Sequence, residues 1–390
     1  KVTIRLHAER AISLMNRRVI PGTSLAAYGH GDWNDSMQPF DPAMREHLCS
    51  SWTVTLHYQT LTVLSTALRR FGANERASGF EAMAEKVLKE FQQRLIVDGV
   101  IAGFAYFHDN GGIDYLLHPR DRSTGVSYSL LPMIHAVING LLTPEQAKEH
   151  LALIEEHLHG PDGARLFDRP MQYRGGPMKQ FQRAESAAFF GREIALMYTH
   201  AHLRYAEALA RYGDADGFFQ ALCQANPIGI RALVPSATLR QSNCYYSSSD
   251  AAFKDRYEAF AEYGRIKKGK VPLDGGWRVY SSGPGIWTRL MIQCFLGWRP
   301  EHTALVFDPV IPKALGGLKV ELVWEGHDLE ITYRIQGDGC GPKGVQLNGA
   351  DLPYIRGANP YRTGAAEIPI SAVRDRLTAG TNRLTVHVGS

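Results

Sequence analysis

Long apolar runs are missing from this chain. No stretch approaches the roughly 18 to 20 residues that a bilayer-crossing helix needs. The first thirty residues carry charges throughout instead of an apolar signal core. The expectation is a protein that neither inserts into nor crosses a membrane. Cysteine is scarce: Cys49, Cys223, Cys244, Cys294 and Cys340 are odd in number and widely spaced. They match neither a disulfide framework nor a CxxC metal knuckle, and fit a reducing cytoplasm, the expected location. An excess of one charge is also lacking. Lys and Arg total 43 against 39 Asp and Glu, and the net +4 forms no basic stripe of the kind that grips phosphate backbones. Nucleic acid is therefore not an expected partner. HExxH, GxSxG, Walker-type and complete GxGxxG patterns are absent, which removes the sequence support for zinc hydrolysis, nucleophile-elbow chemistry and nucleotide binding. No metal and no cofactor is expected.

What is present is a 44% hydrophobic chain of 390 residues, enough to bury a large core. Up to about Arg299 the dominant period is helical. Phe80, Met83, Ala84, Val87, Leu88 and Phe91 recur at i, i+3, i+4, i+7, i+8 and i+11, the spacing of one helix face. Leu61, Leu64, Leu68 and Phe71 form a similar stripe just before, and Gly72 to Asn74 has the chemistry of a helix stop and restart, so a helical hairpin is expected. Thr143, Pro144 and Gln146 read as N-cap, N1 proline and capping-box partner, followed by the stripe Ala147, Leu151, Ile154 and Leu158. Further helices are expected over 194–212, 214–225 and 286–296. After Pro300 the period becomes two: Val320, Leu322 and Trp324, then a turn, then Leu329, Ile331, Tyr333 and Ile335, with Leu384, Val386 and Val388 as a closing strand. The expected fold is mainly α over residues 1–299, followed by a small antiparallel β-sandwich over 300–390.

Four segments could carry chemistry. In Tyr28 to Gln38, Asp32 and Asp35 flank Trp33 and Asn34: an apolar platform, an amide and two carboxylates, a set that suits a sugar. Helix caps or turn residues would use the same aspartates. Gly275 to Arg289 runs from a glycine-rich turn into an apolar helix, whose free backbone N–H groups and serines Ser281 and Ser282 could cradle an anion, although an ordinary loop would look alike. Arg240 to Asp250 gathers amides and hydroxyls, with Asn243, Tyr245 and Tyr246 among them; a surface loop has the same composition. His200 and His202 are two residues apart, so on a helix they diverge and cannot share a metal.

Taken together, the segment Gly31-Asp32-Trp33-Asn34-Asp35 resembles the catalytic loop of the inverting glycoside phosphorylases of the cellobiose phosphorylase family, glycoside hydrolase family 94. Tyr198 to Ala201, Asn226 to Ile228, Tyr280 to Gly283 with Trp287, and Phe307 to Pro312 follow in that family's order. The strings Ala27 to Ser36 and Arg240 to Tyr245 look most like its 1,2-β-oligoglucan phosphorylase branch. The resemblance implies an (α/α)6-barrel catalytic region over 1–299, incomplete here, ahead of the β-sandwich. It implies Asp35 as general acid and inorganic phosphate as co-substrate and nucleophile, releasing α-glucose 1-phosphate from a β-linked, expectedly β-1,2, glucan. It puts Asp32, Trp33, Asn34, His200, Asn243, Tyr245 and Tyr246 around the sugar, and Ser281, Ser282 and Gly283 around phosphate.

Two departures stand out. The family carries a Glu-Pro-Tyr element where this chain has Ser242-Asn243-Cys244, and its members extend far ahead of the catalytic loop, so the chain reads as a C-terminal part. The expected ligands are a β-glucan oligosaccharide and phosphate, and a homodimer or a missing N-terminal region are the candidates for a protein partner. Two alternatives use the same residues. One is an inverting glycoside hydrolase with a second carboxylate about 6.5 to 9.5 Å from Asp35. The other is a truncated, non-catalytic carbohydrate-binding fragment.

Overall fold

The computed structural model describes residues 3–29, 31–278 and 282–389. The chain divides into two compact units. The first comprises Lys1–Ala201, Arg231–Leu239 and Ser248–Gly276; the second comprises His202–Ile230, Arg240–Ser247 and Trp277–Ser390.

The first unit is built on the helical hairpin that the periodicity predicts, Ser51–Arg70 packed against Asn74–Arg94. Ser50 caps the first helix, its hydroxyl accepting from the Thr53 amide at 3.5 Å. Gly72, at φ +73°, makes the reversal that a side chain would strain. Val54 and Leu61 face Ala84, Val87 and Phe91 in the core, all of them under 4% exposed. Phe80 and Met83 lie at the edge of that stripe and stay partly open. The capping box at Thr143 has both expected hydrogen bonds, at 3.0 and 3.2 Å, and buries Ala147, Leu151, Ile154 and Leu158.

The mainly α, (α/α)6-barrel expectation is overturned. The chain is 40% helical and 22% strand, with several separate small sheets, and is of mixed class. In the first unit, Leu48–Ser50, Phe104–Phe107 and Ile113–Leu116 form one antiparallel sheet. Met197–Tyr198, Ser248–Ala251 and Leu273–Gly275 form another. These strands have two to four residues each, too short to impose a period of two, so the longer helical stripes hid them. Both sheets position the site: Ser50 ends one strand, and Tyr198 ends another.

The helix Thr199–Tyr212 starts in the first unit and belongs to the second from His202 on; in the second unit Ala215–Ala225 and Ser282–Leu290 come after it, and two sheets follow. The hairpin Lys319–Trp324 with His327–Ile335 turns at Glu325 and Gly326, both at positive φ, the tight turn that matches strand twist. The antiparallel expectation for this region is also corrected. His327–Ile335 pairs parallel to Asn382–Val388, because a period of two specifies which face is buried and not which way a strand runs. Leu329, Ile331, Tyr333, Leu384, Val386 and Val388 supply the buried face, each at 1% exposure or less. No helix among the described residues is long and apolar enough to cross a membrane, and all five cysteines are free.

Candidate active site

The polar loop of the first unit is organised around Trp33. Its ring stacks on Tyr198, with centroids 5.0 Å apart and planes 17° from parallel, while Trp52 and His200 meet it edge-on at 6.1 and 5.5 Å. The Arg192 guanidinium lies 5.2 Å from the Tyr198 ring centre. Offset and edge-to-face contacts of this kind fix ring planes, so the platform exists before any ligand arrives.

The residues on either side of Trp33 are held by hydrogen bonds. Asn34, 4% exposed, accepts from the Ser36 amide at 3.0 Å and donates to the Glu193 carbonyl at 3.4 Å. The Ser36 hydroxyl reaches the Glu193 carboxylate at 3.0 Å, and Arg183 pairs with that carboxylate at 3.5 Å. Asp32 is half-buried by exposure, yet its carboxyl group is closely surrounded. Burial pushes its pKa up, against hydrogen bonds from the Ser50 and Thr53 side chains and the Asn34 and Trp33 amides. The buried Tyr28 hydroxyl is likewise held protonated by burial and by the Asp32 charge, with the Arg45 charge opposing. Asp35 differs from all of these. It opens the short 3-10 turn Asp35–Met37, is exposed, and has no hydrogen-bond or ion partner among the described residues.

The second unit holds the other expected groups. Ser282 begins a nine-residue helix, half-buried, with Gly283 buried behind it. That helix is anchored further along. Trp287 donates its indole N–H to the Leu222 carbonyl at 3.1 Å, and Arg289 reaches Glu207 at 2.6 Å, where Arg204 also binds at 2.6 Å. Burial pushes the Glu207 pKa up, but the two arginines outweigh it and leave the carboxylate below its ordinary range. Tyr245 lies tilted 6.2 Å from Trp287. Tyr246 is buried and its hydroxyl accepts from the Gln241 amide at 2.8 Å, so it braces its own loop; Asn243 is exposed. Ser281 lies outside the described residues.

Thus Asp32, Trp33, Asn34, Asp35 and His200 come together in one unit, and Tyr245 lies with the Ser282–Leu290 helix in the other. The sequence reading did not single out Trp52, Arg192, Glu193, Ser50 or Thr53. Tyr198 sits in a quoted motif, but its stacking on Trp33 has no sequence signal. Among the described residues no cluster of three metal-binding side chains occurs.

No family model matches the chain. It is similar to a 1,2-beta-oligoglucan phosphorylase. That relative, from Listeria innocua serovar 6a, is 41% identical over 385 residues, covering 98% of this chain and 34% of its own length. The chain therefore spans about a third of the relative it matches. Among solved structures, a sialidase shares the fold over 93% of this chain and 30% of its own, at a TM-score of 0.56 and 13% identity. A GH78 family rhamnosidase of Bacillus sp. GL1 overlaps 85% of this chain and 29% of its own, at 14% identity and a TM-score of 0.45.

Proposed function

We propose that this chain carries part of the catalytic machinery of an inverting phosphorylase that acts on β-linked, and specifically β-1,2, gluco-oligosaccharides. The observation that carries the reading is the 41% identity along nearly the whole chain to a 1,2-beta-oligoglucan phosphorylase. The loop geometry supports it from a separate direction. Asp35 is an exposed, unpartnered carboxyl group two residues from a pre-stacked tryptophan, where a sugar ring can be placed and a proton delivered.

In this reading a phosphate oxygen attacks the anomeric carbon and forms the new C–O bond. The glycosidic C–O bond breaks on the opposite face, and its oxygen takes the proton from Asp35. The products are α-glucose 1-phosphate and a glucan shortened by one unit. Trp33 carries the sugar, with Asn34 and His200 beside it; Asp32, already surrounded by donors, holds the loop in shape. Ser282 and Gly283, with Ser281, hold phosphate at the start of a helix whose first amides lack intrahelical partners. The catalytic part lies ahead of residue 300.

The test is product analysis with sophoro-oligosaccharides. Release of α-glucose 1-phosphate that requires inorganic phosphate is the expected result. Phosphate-independent release of glucose would instead identify a hydrolase.

A further inference from the structure

The Ile4–Arg17 helix ends on two arginines, Arg17 in its last turn and Arg18 as its capping residue. The chain then reverses, pairs Val19 with Ala26 and returns to Gly29, whose amide bonds the Arg45 carbonyl at 2.9 Å. Arg45 and Glu46 close the short 3-10 turn Pro42–Glu46. Arg17, Arg18, Arg45 and Glu46 line one cavity of about 460 Å³, floored in part by Gly29.

Three guanidinium groups sharing a cavity with a single carboxylate repel one another unless something negative sits between them. Several arginines elsewhere in this unit have carboxylate partners: Arg69 with Glu81, Arg120 with Asp98, Arg165 with Asp162. Here they do not. Arg17 donates to the Ser13 hydroxyl at 2.9 Å, and the side chains of Arg18 and Arg45 have no hydrogen-bond or ion-pair partner among the described residues. The Arg45 Nε is buried and has no hydrogen-bond partner among the described residues. An orphaned buried donor is costly, and an anion in this cavity would satisfy it. Charge and shape identify the ligand. Two positive charges remain in excess, matching a dianion, and planar guanidinium forks bind tetrahedral phosphoryl oxygens in pairs. The volume falls within the roughly 300 to 1,000 Å³ of small-molecule sites.

We propose that this cavity is a binding site for a phosphomonoester dianion, held by Arg17, Arg18 and Arg45. None of these residues belongs to the phosphate position suggested at Ser282 and Gly283, so the site is additional to that reading and independent of it.

Calorimetric titration of the chain in chloride buffer at constant ionic strength tests this, with inorganic phosphate, α-glucose 1-phosphate and glucose as probes. Both phosphates should bind and glucose should not. Arg18→Gln, at an exposed position where folding is not at stake, should weaken binding by about tenfold or more, the loss of one charge-assisted contact. Arg45→Gln should do the same, and if it unfolds the chain Arg18→Gln decides alone. Ser282→Ala should remove at most a response of the helix start and keep the response that Arg18→Gln removes. Tighter binding of α-glucose 1-phosphate would identify a sugar phosphate as the occupant; equal or tighter binding of inorganic phosphate would identify the free anion. Undiminished binding in Arg18→Gln, or no binding to the folded chain at about 10 mM probe, would overturn the inference. A response lost in Ser282→Ala but kept in Arg18→Gln would also overturn it, while leaving the phosphorolysis reading intact.

Discussion

The loop Gly31–Met37 and the first turn of the Ser282–Leu290 helix are both polar starts to short helical segments, but they are supported in opposite ways. In the loop, side chains do the work. Trp33 is stacked, Asn34 and Ser36 are tied to Glu193, and Asp32 is surrounded by donors, which leaves Asp35 as the carboxylate that meets solvent. In the helix, the anchors Trp287 and Arg289 lie one to two turns on, and what the start offers is backbone N–H. A region that acts through side chains is broken by one substitution. A region that acts through its backbone keeps most of its donors when a side chain is removed.

That difference sets the order of expected effects. Asp35→Asn should be the largest, lowering α-glucose 1-phosphate release by about 10² to 10⁴-fold, the usual worth of a general acid, with the thermal transition unchanged. Near-normal turnover would remove Asp35 from the mechanism. Ser282→Ala should come next. It deletes one hydroxyl donor and spares the amides, so the phosphate requirement should rise by about 10- to 100-fold, the range of a hydrogen bond to a charged group, with the sugar requirement little changed. An equal rise in both would show that the helix start does not handle phosphate. Trp33→Ala should reverse that selectivity, weakening oligosaccharide binding by about 2- to 12-fold, corresponding to about 0.5 to 1.5 kcal/mol for an aromatic contact, with phosphate affinity unchanged. A phosphate-specific effect would break the comparison.

The two regions also differ in how far the sequence announced them. The helical hairpin and the Thr143 capping box were legible, because each rests on local spacing or on one residue's backbone preference; the strand hairpin was legible too, with its turn expected over Glu325 to Asp328 and found at Glu325 and Gly326. The sheets that position the site were not. Leu48–Ser50 is buried at all three positions and shows no alternation, and Met197–Tyr198 runs directly into the Thr199–Tyr212 helix. Trp52 was hidden differently: it lies within a helix whose stripe reads as ordinary core, and only the tertiary fold brings it edge-on to Trp33. Glu193 lies in an irregular segment with no pattern, yet it fastens both Asn34 and Ser36. Local chemistry is written in neighbouring residues, whereas a bracing contact across 157 residues is not.

The smallest expected effect concerns Asp32, and it is a slope instead of a loss. Its carboxyl group has a folded pKa above the unfolded value of about 3.9, because burial disfavours the charge more than the surrounding donors favour it. Between those two values the folded chain holds a proton that the unfolded chain has released. Stability from this group is therefore fully present below about pH 3.9 and is lost as pH rises through the folded pKa. Glu207 runs the other way, its pKa depressed by Arg289 and Arg204 against its burial, so its contribution is lost as pH falls. It is common to wild type and Asp32→Asn, and cancels in their difference. Thermal melts of both across the acid range should show the wild type losing ground to Asp32→Asn as pH rises from about 4, whatever fixed offset the amide imposes on the Ser50 and Thr53 contacts. Parallel curves would mean that Asp32 titrates normally. The division between a bracing Asp32 and an acting Asp35 would then fail on its first member.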